Sequence, residues 1–461
     1  MRTDVRAMFL VLVFIPSLAW GKTLRLDNAV IWTGDPARPW AESMIVENGR
    51  IGAVGSRADT DLPGAVRIDL QGAFVCPGFV DAHAHVLGYG RRRTRVDLTG
   101  ARSLEEATER VRGYVGTRRE QARDTWVRGR GWDQNDWPKQ VFPTREDLDR
   151  VTSDLPIVLT RVDGHAYWVN TRALSLAGIT RESKDPPGGK IVRDTEGQPS
   201  GILVDNAMDL VATVIPHETD AENREAIAKA AELLARAGLT GVHDMGMSAR
   251  EAATYRELAQ QDSLRLRIYG AILADDPELA RVIAPGPDMD WIGGTFRLGM
   301  VKFFMDGALG SRGAALLAPY SDDPGNTGLL RLGPDSLQAV MRSVLETGFQ
   351  CAVHAIGDRG NRLALEAWAK ERSRYTGRAV PEAPPSSIGK VPARIPPFRL
   401  EHAQVLHLED LHRLHALGVL ASMQPTHCTS DMPWAPDRLG TERLRGAYAW
   451  RSIIDTGVVL A

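Results

Sequence analysis

From about residue 73 onward, short apolar runs alternate with longer stretches of helical period. Short runs rich in β-branched residues predict buried strands, and apolar positions three or four residues apart predict amphipathic helices. Eight strands are predicted at residues 73–81, 239–244, 264–273, 298–305, 350–355, 398–402, 419–423 and 458–461. Helices predicted between them include 222–237, 334–347 and 408–417. This alternation indicates the α/β class and a (β/α)8 TIM-type barrel.

The residues before the barrel carry a different pattern, of short strands close together. These strands are predicted at residues 23–32, 43–55 and 66–70. Asn48-Gly49 is the dipeptide that two-residue hairpin turns favour, because both positions need a positive φ. We therefore expect an N-terminal part of a β-sandwich at residues 22–72, preceding a barrel domain at residues 73–461.

The interval of about 90–238 is far too long for one strand–helix unit. It contains its own predicted helix at 103–116 and strand candidates at 126–129 and 157–161. We interpret it as an inserted subdomain that caps the barrel mouth. The stretch 376–397 contains six prolines and predicts a stiff surface loop.

Residues 1–21 resemble a secretory signal. Arg2 and Arg6 supply positive charge, Ala7 to Leu18 form an apolar segment too short to span a bilayer, and Ala19 and Gly21 are small. We expect cleavage after Gly21 and a periplasmic or secreted protein. An uncleaved anchor or a misassigned start codon would be the alternative. No other stretch is apolar enough to cross a membrane.

Composition limits the classes of function. The 461 residues carry a net charge of −2, with 43% hydrophobic and 25% charged residues, as in ordinary globular proteins. No basic run suits nucleic acid and no acidic tail is present, so the expected partner is a small molecule. Three cysteines are too few for a disulfide framework and predict core thiols. A homo-oligomer is a further expectation.

The motif His83-Ala84-His85 ends the first predicted barrel strand. Residues two apart on a strand point to the same side, so both imidazoles should project from the strand's carboxyl end. Active sites of parallel barrels lie at that end. Two adjacent imidazoles form half of a metal site. The same pattern is also compatible with two histidines that are hydrogen-bonded to the backbone.

Three later strands each end with one further candidate ligand. Lys302 is embedded in the apolar run of residues 298–305, whereas His354 and His402 close the next two strands. A buried ammonium is unfavourable, so such a lysine must be deprotonated, paired or chemically modified. Each residue alone could be structural, but the ordered set favours a metal site.

Four sequence motifs accompany these residues: Gly-Trp-Asp-Gln-Asn at 131–135, Asp-Gly-His-Ala at 163–166, Asp-Gly-Ala-Leu-Gly-Ser-Arg at 306–312 and Glu-His-Ala-Gln at 401–404. Together with the ligand order, they resemble the amidohydrolase superfamily, and within it the type-3 family that includes N-substituted formamide deformylases. The resemblance covers the chain from residue 23 to its last residue.

The resemblance implies a metal centre. In that superfamily the His-x-His pair, a lysine often carbamylated by carbon dioxide and two later histidines bind one or two divalent metals. These roles would fall on His83, His85, Lys302, His354 and His402. The implied ion is zinc, with Lys302 N-carboxylated. A carbamate replaces an ammonium with an anion, which would account for a lysine in an apolar strand.

Substrate contacts are expected where family motifs or strand ends carry polar side chains. The residues predicted to contact substrate are Trp132, Asn135, His165, Asp306 and His427. Arg312 could bind a substrate carboxylate, but an ion pair that fixes its loop is the favoured interpretation. For His243, at the end of the second barrel strand, a functional role and a structural hydrogen bond stay equally open.

Family members place an aspartate just after strand eight, where it moves the proton of the attacking water. Residues 456–461 are an apolar strand, so we expect that aspartate to lie beyond Ala461 and the chain to be an inactive fragment lacking the catalytic residue. The predicted function of the whole protein is metal-dependent hydrolysis of non-peptide carbon–nitrogen bonds of amide or N-formyl type. An esterase or lactonase, or a secreted non-catalytic binding protein, are the alternatives.

Overall fold

The computed structural model describes residues 23–118, 126–162, 166–186, 189–216, 218–310, 312–375 and 396–461. The chain forms two compact units: Met1–Ala84, Glu232–Ala252 and Arg265–Ala461 make up unit 1, whereas His85–Ala231 and Ala253–Leu264 make up unit 2. The predicted signal and residues 376–395 of the proline-rich loop lie outside the described residues. Within those described, no helix has both the length and the apolar character needed to span a bilayer.

The N-terminal strands of unit 1 form two small sheets around an apolar core. They are β1 (Thr23–Asp27), β2 (Val30–Trp32), β3 (Trp40–Ala41), β4 (Ser43–Glu47), β5 (Arg50–Gly55), β6 (Val66–Asp69) and β7 (Phe74–Val75). One sheet has the order β5-β4-β1-β6 and the other β3-β2-β7. Ile31 and Met44 are buried between them. Asn48 and Gly49 have φ values of 50° and 73°, as the predicted hairpin turn requires.

Strand β8 (Val80–Ala84) leads into unit 2, whose sheet has the order β13-β14-β12-β11-β10-β9. Its elements are α1 (Val86–Thr94), β9 (Val96–Asp97), α2 (Leu104–Arg118), β10 (Val127–Trp132), α3 (Arg145–Asp149), β11 (Ile157–Arg161), β12 (Ala166–Val169), α4 (Thr171–Leu176), β13 (Gly189–Arg193), β14 (Pro199–Asp205), α5 (Asp209–Ala212) and α6 (Asp220–Arg236), the last of which returns to unit 1. The insert predicted at about residues 90–238, as a cap on the barrel mouth, stays a prediction.

The remaining elements complete the barrel. They are β15 (Gly241–Met247), α7 (Ala249–Gln260), β16 (Arg267–Leu273), α8 (Leu279–Ile283), β17 (Phe296–Phe304), α9 (Pro334–Glu346), β18 (Gln350–Ala355), α10 (Asp358–Tyr375), β19 (Arg399–His402), α11 (Leu411–Ala416), β20 (Leu420–Ser422), α12 (Pro425–Asp431), α13 (Ala435–Leu444), α14 (Trp450–Asp455) and β21 (Val459–Leu460). Strands β8 and β15 to β21 form one parallel sheet in chain order, as predicted for a (β/α)8 barrel.

The sheet curls so that strands far apart in its order meet across its interior. Four strands separate β8 from β19, yet His83 Nδ1 lies 2.6 Å from Glu401 Oε2. Small and flexible side chains fill the neighbouring interior, with Met245, Ala271 and Met300 fully buried in one cluster. The polar contacts described below therefore lie inside the barrel.

The first predicted strand was wrong at its start. Residues 74 and 75 form β7 in the three-stranded sheet, and the barrel strand β8 begins only at Val80. Pro77 and Gly78 separate the two, since proline cannot donate to a sheet and Gly78 has a φ of 80°. The three cysteines are free thiols, but only Cys351 is fully buried; Cys76 and Cys428 are half-buried.

Candidate metal centre

Four of the five predicted metal ligands come together in unit 1. They are contributed by four strands, with His83 on β8, Lys302 on β17, His354 on β18 and His402 on β19. The ring of His402 has its centroid 4.7 Å from that of His83 and 4.6 Å from that of His354. Each residue lies in the carboxyl-terminal half of its strand, as predicted for a barrel active site.

His85, the fifth predicted ligand, follows β8 and precedes α1. Its side chain is exposed, whereas that of His83 is only 8% exposed. The alternation that places residues i and i+2 on one side ends with the strand at Ala84, so it does not extend to His85. Metal ligation by His85 stays a prediction.

Hydrogen bonds at Nδ1 fix the orientation of two of the rings. His83 Nδ1 lies 2.6 Å from Glu401 Oε2, and His402 Nδ1 lies 2.6 Å from Gln424 Oε1. Both partners are acceptors, so each Nδ1 must carry the hydrogen and each Nε2 keeps its lone pair. Carboxylate or carbonyl partners of this kind orient metal-binding histidines in proteins.

Three side chains that the sequence did not single out as site residues, Glu401, Arg399 and Gln424, support the site. Glu401 is fully buried, and Arg399 binds its Oε1 through Nε at 2.7 Å. Arg399 also donates to Ala82 O on β8 and to Ser422 Oγ on β20, at 2.8 and 3.1 Å. Arg-Leu-Glu at 399–401, with charges at alternate positions of an apolar strand, is the signal that could have revealed this pair.

The pKa values of the site histidines favour the neutral rings that bind metals. Burial lowers the pKa of His354 to about 3, with the charge of Lys302 as a second cause. Burial also lowers the pKa of His402 well below its usual range, and lowers that of His83 despite its bond to Glu401. Burial alone would raise the pKa of Glu401, but its bonds with His83 and Arg399 outweigh this and hold that pKa far below normal. The carboxylate is therefore ionised.

Lys302 is the most unusual member of the site. The residue is 1% exposed, and its Nζ has no hydrogen-bond partner among the described residues. Burial lowers the pKa of the amine to about 8. About a tenth of the amine is then unprotonated at pH 7, and only the unprotonated amine can react with carbon dioxide.

These residues fit the divalent metal that the family resemblance implies. The donor set contains three imidazoles held neutral and a buried amine whose Nζ, in the part of the chain that the structure describes, makes no hydrogen bond. Across the described ranges, no three His, Cys, Asp or Glu side chains stand close enough to hold an ion as they are placed. The fit therefore rests on the chemistry of the donors rather than on a preset coordination shell.

His427 on α12 lies beside the centre. Its ring stacks on that of His402, with 5.3 Å between centroids and 21° between planes, and it is half-buried. Its Nδ1 lies 3.0 Å from Gln404 Oε1. Substrate contact by His427 stays a prediction.

Asp306 lies in the same unit but is fully buried. Its carboxylate accepts hydrogen bonds from the backbone amides of Ala315, Ile356 and Gly357, at 2.9, 3.0 and 2.8 Å. Burial raises the pKa of Asp306 to about 6 against the opposing effect of these amides. Its observed contacts tie the loops after β17 and β18 together, and substrate contact stays a prediction.

The predicted contacts in unit 2 are placed as follows. Trp132 is fully buried, packs against Trp137 and Trp168, and donates from Nε1 to Leu159 O at 2.8 Å. It contributes to the core of this unit. Asn135 lies in a 3₁₀ turn, Gln134–Asp136, and His165 lies outside the described residues.

Two residues that the sequence left open form structural contacts. Arg312 binds Asp322 through Nε and Nη2, at 3.2 and 2.9 Å, in the ion pair that was favoured. Arg399 Nη1 lies 2.8 Å from His243 Nδ1. Because arginine only donates, His243 must accept there, and a structural hydrogen bond is the observed use of this side chain.

His243 should make the protein acid-sensitive. Burial, assisted by Arg399, lowers the pKa of His243 from 6.5 to about 4. The unfolded chain therefore binds a proton that the folded chain does not between pH 6.5 and 4. Above pH 6.5 this group does not change the free energy of unfolding with pH. As the pH drops from 6.5 to 4, that free energy falls by up to about 3 kcal/mol.

Urea unfolding of His243→Gln against wild type from pH 7 to 4 measures this effect, because glutamine keeps an acceptor for Arg399 without titrating. The variant is expected to lose less stability on acidification than wild type. His412→Gln, at an exposed position on α11, is the matched control. Parallel curves for wild type and His243→Gln would contradict the assignment.

The curled parallel sheet, with the histidine–lysine cluster at its carboxyl end, is the architecture of the (β/α)8-barrel enzymes, whose active sites lie at that end. Residues 67–461 match the Amidohydrolase family. The chain therefore belongs to the amidohydrolase family and is a hydrolase, as the sequence motifs predicted.

Similar proteins agree with this membership. YtcJ amidohydrolase of Bacillus subtilis (strain 168) is 33% identical over 434 residues, which cover 91% of this chain and 76% of YtcJ. N-substituted formamide deformylase of Arthrobacter pascens is 26% identical over 414 residues, covering 86% of this chain and 72% of that enzyme. A metal-dependent hydrolase of Pyrococcus furiosus has a similar structure, with a TM-score of 0.76, 28% identity and coverage of 95% and 84%.

Proposed function

We propose that the protein hydrolyses non-peptide carbon–nitrogen bonds of amide or N-formyl type at a divalent metal centre. The observation that carries this proposal is the buried Lys302 amine, whose Nζ makes no hydrogen bond to any described residue. Lys302 lies on the strand beside that of His354 and near enough to His402 for its charge to lower the pKa of that ring. A purely structural site would gain stability from an apolar residue at this position. Similarity to an N-substituted formamide deformylase supports the choice of carbon–nitrogen bonds.

The residues that would hold the ion are His83, His354, His402 and N-carboxylated Lys302, with His85 as the remaining predicted ligand. When bound, a divalent cation, for which we propose zinc, would lower the pKa of water and polarise the scissile carbonyl. Glu401 and Gln424 accept the Nδ1 hydrogens of His83 and His402, so that in the neutral rings Nε2 is the nitrogen with a lone pair. Arg399 neutralises Glu401 inside the barrel.

Lys302 would contribute as a carbamate. Its unprotonated Nζ would attack the carbon of carbon dioxide, form an N–C bond and release one proton, leaving an anionic carboxylate on nitrogen. The lowered pKa of the amine favours this reaction near neutral pH. The product places negative charge among three neutral imidazoles, where a cation would be stabilised.

The direct test is removal and return of the metal. The test uses the full-length protein, including any residues that follow Ala461, and this protein is the wild type in all activity and metal measurements. It is treated with a chelator, then titrated with zinc, manganese or iron(II) and assayed on N-acyl amines, N-formyl compounds, lactones and aryl esters. We expect the chelated protein to be inactive and stoichiometric metal to restore hydrolysis of the amides. Failure to take up any of the three metals would rule out the proposed centre.

A further inference from the structure

His427 occupies a position from which it can touch a substrate held at the centre. It is the third residue of α12 and stacks on His402, whose ring contacts those of His83 and His354. The side chain is half-buried, so part of the ring faces solvent. What this ring can recognise depends on which of its nitrogens carries a hydrogen.

A chain of hydrogen bonds fixes that hydrogen, beginning at Asp431. The Oδ2 atom of Asp431 receives hydrogen bonds from Tyr448 OH at 2.7 Å and from Gln404 Nε2 at 2.8 Å. A carboxylate only accepts, so the amide NH₂ of Gln404 must face Asp431. The opposite atom, Gln404 Oε1, then faces His427 Nδ1 at 3.0 Å.

The orientation of Gln404 sets the tautomer of His427. Because Oε1 can only accept, Nδ1 of His427 carries the hydrogen, and Nε2 of the neutral ring is a hydrogen-bond acceptor. Within the part of the chain that the structure describes, Nε2 makes no hydrogen bond or ion pair. The site therefore offers a substrate an acceptor with a defined orientation next to His402.

We propose that His427 Nε2 accepts the N–H hydrogen of the scissile bond, and that the substrates are secondary amides. This inference rests on the proposed hydrolytic function and narrows it. Esters, lactones and N,N-disubstituted amides have no hydrogen at that atom, so they would leave the acceptor unsatisfied. A substrate that leaves a polar group of the binding site unsatisfied is expected to have a kcat/KM lower by about 10-fold to 100-fold.

The test compares three matched probes: p-nitroacetanilide, its N-methyl derivative and p-nitrophenyl acetate. They are assayed with the metal-loaded wild type and with His427→Phe, which keeps a stacked ring but removes the acceptor. We expect His427→Phe to lower kcat/KM for the secondary amide by about 10-fold to 100-fold. The N-methyl amide and the ester should change by about twofold or less, since neither can use the acceptor.

Further variants distinguish a loss of substrate recognition from a general disturbance of the active-site structure. His427→Gln keeps an acceptor oxygen and should recover part of the amide activity, and Gln404→Leu should lower the amide-to-ester ratio because it frees the ring to change tautomer. His412→Phe is the matched control, an exposed histidine on α11. An equal loss on all three probes with His427→Phe would overturn the inference, whereas wild type that is inactive on all three would overturn the proposed function and this inference with it.

A binding measurement provides a readout independent of turnover. In protein labelled with ¹⁵N-histidine, acetanilide should shift the Nε2 resonance of His427, assigned by its absence in His427→Gln. N-methylacetanilide should leave that resonance in place. Equal shifts with both ligands would show that the N–H group is not what the ring recognises.

Discussion

Lys302→Ala is expected to lower kcat/KM by about 1,000-fold or more and to remove the bound metal together with the activity. The estimate follows from the several kcal/mol of transition-state stabilisation that a metal supplies. Metal content per chain and steady-state kinetics measure both effects. A carbamate carbon resonance in wild type supplied with ¹³C-bicarbonate, absent in the variant, would identify the modified amine.

The matched control is Lys370→Ala, which removes an exposed lysine from α10. It should retain wild-type metal content and activity. Retention of metal and activity by Lys302→Ala would show that the buried amine is not part of the centre.

Replacing Lys302 should raise the stability of the metal-free protein, although it removes activity. In metal-free protein, burial lowers the pKa of Lys302 from 10.5 to about 8, so charging the amine opposes folding below pH 8. Lys302→Met should therefore raise the free energy of unfolding by up to about 3 kcal/mol below pH 8, with the difference vanishing as the pH approaches 10.5. A variant that is more stable but inactive is the signature of a residue kept for function.

Most of the fold could be predicted because its signals are local. Seven of the eight barrel strands were predicted within a few residues, since buried parallel strands read as short apolar runs between turn residues. The exception, at residues 73–81, combined β7 with β8. Both pieces are apolar, and hydrophobicity does not tell which sheet a strand joins.

The site could be predicted where ligands end strands of one parallel sheet. Strand order then brings Lys302, His354 and His402 together without further information. His85 shows the limit of this argument, because alternation holds only while the strand continues. Trp132 shows another limit, since a sequence motif does not distinguish a core tryptophan from one that faces a substrate.

The supporting contacts could not be predicted, because they depend on curvature of the sheet. Glu401 reaches His83 only because β8 and β19 meet across the barrel interior. Gln404, Asp431 and Tyr448 meet through loop geometry that sequence spacing does not encode. The period-2 alternation of Arg399 and Glu401 places two charges on one face of the strand, but it does not show what they contact.

Glu401→Gln is expected to destabilise the protein by about 3 to 5 kcal/mol and to weaken metal binding by about 10-fold to 100-fold. The first effect arises because Arg399 keeps a buried charge without its carboxylate. The second arises because the amide is a weaker acceptor for His83 Nδ1–H, which the charged Glu401 holds in place. Urea unfolding and metal titration measure the two effects separately, and Glu442→Gln, on a side chain that is 87% exposed, is the control.

A double variant distinguishes two effects of Glu401: balancing the buried charge of Arg399 and orienting the His83 ring. Replacing Arg399 with Met and Glu401 with Leu removes both buried charges, so stability should return to within about 1 kcal/mol of wild type or exceed it. Metal affinity should stay low, because leucine at position 401 offers His83 Nδ1–H no acceptor. If the double variant recovered both stability and metal affinity, the carboxylate would serve only to balance Arg399, and its proposed role in orienting His83 would be wrong.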